Sequence, residues 1–161
     1  MAVREMLSVG VDIGTSTTQI IFSRLSVENA AGYFSVPRIA ISDKRVVYRS
    51  GIYTTPLFSL ERIDSDGVQK IVEKEYLSFG CRSRDVETGA VIITGESARK
   101  ENAAAVLEKL SGFAGDFVVS TAGPDLESIL AGKGSGAWRQ SMEKDCVVVN
   151  LDIGGGTTNL V

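Results

Sequence analysis

The chain has 161 residues, a net charge of −3 and no histidine. That length fits one ordinary apolar core, and the acidic balance gives no general attraction to nucleic acid or anionic lipid. Without imidazole there is no Ser-His-Asp triad, no HExxH zinc site and no histidine general base, so carboxylates, hydroxyls and backbone groups must carry the chemistry.

The first element is Leu7 to Phe22, LSVGVDIGTSTTQIIF. Val9 and Val11 alternate with small residues toward Asp12, and Gly14 lets the backbone turn close to a ligand. Thr17 to Phe22 returns as a β-branched strand. Such a hairpin gathers backbone N–H groups and the hydroxyls of Thr15, Ser16 and Thr17 around one small space. Beside it the Asp12 carboxylate could hold a hydrated magnesium ion. Taken alone, glycine between two strands is only a turn.

Gly32 to Ile41 predicts a third strand, with Pro37 favouring an edge or a bulge. Arg45 to Tyr48 and Ile52 to Thr55 add short strands. Asp64, Ser65 and Asp66 offer a helix N-cap, Val68, Ile71, Val72, Tyr76 and Phe79 follow at helical spacing, and Gly80 stops the helix. Arg82 and Arg84 read as solvated loop charges. Val86 to Thr94 is a strand, and GESARKENAAAVLEKL begins a helix that buries Ala103, Val106, Leu107 and Leu110. Asp116 to Ser120 is another short strand. Pro124 suits a first helical position, with Asp125 and Glu127 complementing the helix N-terminus and Leu126, Ile129 and Leu130 facing inward.

Ala131 to Ala137, AGKGSGA, is not a Walker loop, because no Ser or Thr follows Lys133 directly and no strand precedes it. It reads as a break between two helical pieces, the second packed by Trp138 and Met142. Cys81 and Cys146 lack metal or redox spacing and read as reduced thiols. No apolar run is long enough to cross a bilayer, and no signal-peptide pattern opens the chain, which makes a cytoplasmic location the expectation.

The last stretch changes the weight of the first. Val149 to Val161, VNLDIGGGTTNLV, repeats Val9 to Ile21 in register, with Asp-Ile-Gly and Thr-Thr at matching places. Cys146 to Leu151 is its first strand. Two copies of one hairpin suggest two related half-domains. The expected fold is α/β, a ribonuclease H-like βββαβαβα first half over 1–144 with a mixed sheet, and 145–161 opening a second half that the chain does not complete. An N-terminal fragment is the expectation.

Two Asp-x-Gly hairpins around a βββαβαβα unit resemble the actin, Hsp70 and sugar-kinase ATPase superfamily. The stretch GESARKENAAAVLEKLSGFAGDFVVSTAGPDLESILAGKGSGA is more specifically similar to the ethanolamine ammonia-lyase reactivating factors, and the likeness covers essentially the whole chain. This resemblance implies a chaperone-like ATPase using ATP and Mg2+. Its partner would be ethanolamine ammonia-lyase, whose damaged cobalamin it releases; adenosylcobalamin belongs to that client. A location in the cytoplasm, with association with a bacterial microcompartment, follows from the same resemblance. Residue by residue, Asp12 and Asp152 become the carboxylates for magnesium and the attacking water. Gly14, Gly154, Gly155 and Gly156 admit phosphate, and Thr15, Ser16, Thr17, Thr157 and Thr158 offer hydroxyl donors. Lys100 resembles part of a short Hsp70 stretch but reads more simply as a surface helix lysine. The adenosine-binding segment would lie beyond Val161, so this chain alone is expected to be inactive. A small-molecule kinase of the same superfamily and a non-catalytic actin-like protein are the other readings; a nuclease would need more carboxylates around Asp12 and a basic surface.

Overall fold

Strand β1 (Arg4–Ile13) buries Val9, Val11 and Ile13 on one face, the period-2 pattern of a half-buried strand, and turns the small Gly10 and the carboxylate of Asp12 to the other. The computed structural model describes residues 3–29, 31, 36, 38–113, 116–121 and 124–161, and for 116–121 and 124 the backbone alone. Strand β2 (Thr17–Asn29) returns antiparallel, pairing Val9 with Phe22, Val11 with Ile20 and Ile13 with Thr18. These partners share the buried face.

Strand β3 (Ile39–Arg49) follows on the outside of β2. It replaces the expected strand at 32–41 and the separate piece at 45–48 by one continuous strand; residues 32–35 and Pro37 lie outside the described residues. Two bulges interrupt its pairing, and Asp43, Lys44 and Arg45 lie exposed on this edge strand. Bulges and charges are what keep an open sheet edge from pairing with another chain. Strand β4 (Tyr53–Thr54) joins the start of β2, and a small hairpin, β5 (Leu57–Ser59) with β6 (Arg62–Ile63), which the sequence does not announce, leads into the first helix.

Helix α1 (Ser65–Phe79) begins at Asp64, whose carboxylate accepts from the Gly67 N–H at 2.9 Å, and ends at Gly80 in the left-handed conformation, φ 79°. Phe79 stacks on Phe22 at 4.6 Å, and Tyr76 meets the same ring edge-on at 5.0 Å, fixing α1 against β2. Glu75 is buried between the hydroxyls of Tyr48 and Tyr53, both of which donate to it. Arg82 pairs with Asp85 in the following 3-10 turn.

Strand β7 (Thr88–Ile93) lies parallel to β1, and a 3-10 turn (Gly95–Arg99) separates it from α2 (Ala103–Ser111). The helix expected to run from GESARK is thus broken at 100–102, because the Asn102 side chain, in place of capping α2, bonds both backbone groups of Ile63. Lys100 sits in that break, its ammonium on the Leu60 carbonyl, and so is not a helix-surface lysine. The expected buried face of α2, Ala103, Val106, Leu107 and Leu110, is the observed one.

Strand β8 (Asp116–Thr121) extends the sheet parallel to β7, giving the order β3-β2-β1-β7-β8. This is the ribonuclease H-like arrangement, with antiparallel strands on one side and parallel strands on the other. Helix α3 (Pro124–Gly134) takes in most of the expected glycine-rich break, and α4 (Ala137–Lys144) starts two residues later. Leu126, Ile129 and Leu130, together with Trp138 and Met142, are exposed rather than buried, although Ile129 and Trp138 border one cavity with Val148 and Val161. Strand β9 (Leu151–Ile153) and β10 (Thr158–Leu160) close the chain as a separate hairpin. Residues 147–150 are not strand, though Asn150 and Val161 exchange both backbone bonds at 2.8 and 3.2 Å. No helix among the described residues is long and apolar enough to cross a membrane.

Candidate functional site

The carboxyl ends of parallel strands are where α/β sheets receive ligands, because the loops leave there and helix N-termini point inward. In this sheet Ile13, Ile93 and Thr121 lie level on β1, β7 and β8, so Gly14, Thr94 and the start of α3 emerge together. Asp12 stands one residue before that end.

The two related hairpins are equivalent in detail. Gly14 N–H donates to the Thr17 carbonyl at 2.8 Å, and Gly154 N–H donates to the Thr157 carbonyl at 2.9 Å. Asp12 lies opposite Gln19, and Asp152 opposite Asn159. Their turns also touch. A β-carbon on Gly155 would fall 2.6 Å from the Ser16 β-carbon, and one on Gly156 would fall 2.8 Å from the Thr15 methyl. At Gly95, φ +59°, a β-carbon would meet the Thr15 hydroxyl at 2.6 Å and the Thr157 hydroxyl at 3.6 Å. Three loops therefore meet at Thr15, and glycine is required where they meet.

Within the first turn the hydroxyls differ. Thr15 accepts from the Glu96 N–H at 3.0 Å, which leaves its own hydrogen free to be donated. Thr17 is exposed at the turn's end. The neighbouring Thr18 is buried and bonded to Thr55 at 3.0 Å, a structural hydroxyl. Thr158, its counterpart in the second hairpin, is exposed.

Asp12 remains open to solvent along part of its side chain, yet its carboxyl is pushed above the usual carboxylate range. Burial of the carboxyl group is the larger cause, the charge of Glu127 adds to it, and a hydrogen bond from Thr94 opposes both. Glu127 itself has a buried Oε2 with no hydrogen-bond partner. A buried carboxylate oxygen left unpaired is costly and marks a place for a ligand or a water. The sequence suggests Glu127 only as a helix-terminus charge; its position just after a parallel strand was the available signal. Among the described residues no three acidic or thiol groups gather into a direct metal cage. Asp12, with the charge of Glu127 acting on it and a glycine cradle beside it, fits instead a cation held largely through its water shell, the habit of magnesium with phosphates.

The sequence profile described as "Ethanolamine utilisation protein EutA" matches residues 4–161. Two relatives, each named "Ethanolamine ammonia-lyase reactivase EutA", one from Escherichia coli K12 and one from Salmonella typhimurium LT2, are each 43% identical over 159 residues. Those alignments take in 99% of this chain and 34% of each relative, so the chain spans about a third of their length. Among solved structures, one titled "Structural Study of the Aquifex aeolicus PPX-GPPA enzyme" superposes with a TM-score of 0.52 at 18% identity, covering 98% of this chain and 48% of that one. At that identity the likeness concerns the fold alone. The sequence matches reach further, and by them the chain belongs to the ethanolamine utilisation protein EutA family.

Proposed function

We propose that this chain supplies the phosphate-gripping part of an ATP site in a protein that reactivates ethanolamine ammonia-lyase by releasing damaged cobalamin from it. The contact of the two Asp-Ile-Gly turns carries the reading, because two equivalent hairpins meeting turn to turn are the two sides of a phosphate grip. Residues 1–144 form the first half-domain, and 145–161 open the second. The client is drawn from the names of the relatives.

In this site Gly14, Gly154, Gly155 and Gly156 let backbone amides approach the phosphates. Thr15, Ser16, Thr17 and Thr157 add hydroxyl donors. Asp12 and Asp152 would hold the water shell of Mg2+, and Glu127, near Asp12, would accept the proton of a water that attacks the terminal phosphorus as the bond to ADP breaks. Magnesium, when bound, neutralises charge on the phosphate oxygens. The turns are in van der Waals contact, so a phosphate chain must part them, and that movement couples nucleotide state to the grip on the client. The working place is the cytoplasm, with or without a microcompartment.

The test uses the full-length protein with cobalamin-inactivated ethanolamine ammonia-lyase, Mg-ATP and adenosylcobalamin. Return of lyase activity, dependent on ATP, is the expected result; no return removes the client. Stoichiometric phosphorylation of a small alcohol or carboxylate would favour a kinase instead.

A further inference from the structure

The Gly14 carbonyl accepts two buried hydroxyls, that of Thr55 at 2.9 Å and that of Ser97 at 3.0 Å. These residues come from different parts of the chain. Thr55 follows β4, and Ser97 lies in the 3-10 turn after β7. A hydroxyl has one hydrogen, and that of Thr55 goes to a carbonyl, which can only accept. Thr18, 3.0 Å from the Thr55 oxygen, must therefore donate to it. The result is a directed relay, Thr18 to Thr55 to Gly14, in which each bond polarises the next. Thr55 also donates its N–H to the Ser16 carbonyl at 3.0 Å. Two carbonyls of the turn are thus engaged from behind by groups that are themselves almost fully buried.

A peptide unit has two ends, and a carbonyl drawn one way turns the following N–H the other. In a turn meant for phosphate, a carbonyl oxygen swung toward the ligand would repel it. We propose that Thr55 and Ser97 are positioning residues for the phosphate turn: they hold the Gly14 carbonyl away from the anion and so aim the adjoining amide at it. This rests on the nucleotide reading of the site given above. Neither residue touches the ligand, and both act through the peptide after Gly14.

The experiment titrates the full-length protein with Mg-ATP and, separately, with adenosine, for wild type, Ser97→Ala, Thr55→Val and Thr55→Ser, with thermal unfolding of each. Ser97→Ala and Thr55→Val should each weaken Mg-ATP about tenfold, the loss of roughly one well-aimed hydrogen bond, with adenosine affinity unchanged. Thr55→Ser, which keeps the hydroxyl, should bind as wild type. Thr55→Val strands the Thr18 hydroxyl and is the variant at risk of unfolding; if it does, Ser97→Ala decides. Unchanged Mg-ATP affinity, or equal weakening of both ligands, overturns the proposal while leaving the nucleotide site standing. A wild type that binds no Mg-ATP overturns both together.

Discussion

Glu127, in the first turn of α3, bears on Asp12, near the end of β1, and helps raise its carboxyl above the ordinary value of 3.8. The elevated state is a strain that function can use. A carboxyl that binds its proton more tightly when folded favours the folded protein most below its unfolded pKa, and that contribution fades as pH rises through the raised value. Asp12→Asn, which never ionises, should therefore melt higher than wild type at pH 7 in chelator, and the two should converge below about pH 3. In the full-length protein the same variant should lose at least about tenfold in ATP turnover. A variant that is both less stable and fully active would mark Asp12 as a turn residue only.

The contact between turns predicts asymmetric tolerance. Gly155→Ala and Gly156→Ala must push Ser16 and Thr15 aside, at a cost of about 1–3 kcal/mol to hairpin docking. Gly134, with nothing within 4 Å of its would-be β-carbon, should accept alanine with a gain of up to about 1 kcal/mol. Hydrogen exchange across 151–160 would report the first effect and thermal melting the second.

Asn102 replaces a strand neighbour for Ile63, accepting from its N–H at 2.9 Å and donating to its carbonyl at 2.7 Å. Asn102→Ala should cost about 1–3 kcal/mol, because both groups of a buried residue lose their partner. Chemical denaturation at matched conditions measures it; a loss below a few tenths would mean that water replaces the amide.

Gly80 ends α1 at φ 79° in open space, so any penalty for a side chain there is purely a backbone one. Gly80→Ala should destabilise by about 1–2 kcal/mol. Gly80→Asn should recover part of that, since asparagine tolerates the left-handed region. Equal melting of all three would deny the cap its role.

The chain itself, carrying both hairpins but only the first half-domain beyond them, should bind Mg-ATP weakly or undetectably. Calorimetry on this chain and on the full-length protein compares them directly. Matching tight affinities would refute a site built from two halves.

Local signals were legible where neighbours in sequence are also neighbours in space. Val9, Val11 and Asp12, the Asp64 cap, the Gly80 stop and the buried face of α2 are of that kind. Asp43 and Lys44 fall in the gap expected between strands because charges avoid sheet interiors, but β3 is an edge strand, and its edge has water for them. The faces of α3 and α4 failed differently. Leu126, Ile129 and Trp138 have helical apolar spacing, and spacing says which side wants cover without saying what provides it. Glu127 is hard to read as a site residue for a related reason: its partner is near only through the sheet, and only its place just after a parallel strand hints at it.

The meeting of the two turns also says something about symmetry. If identical hairpins faced each other about a two-fold axis, Thr15 and Ser16 would press on their own copies, and neither turn would have room. The chain resolves this by giving bulk to one copy and emptiness to the other, Thr15 and Ser16 against Gly156 and Gly155. The pair is a key and a lock derived from one pattern. Writing GTS at 154–156 as well as at 14–16 should force the halves apart. Divergence at these two positions is thus a geometric requirement of a repeat folded onto itself, and the equal treatment of Asp12 and Asp152 shows where no such requirement acts.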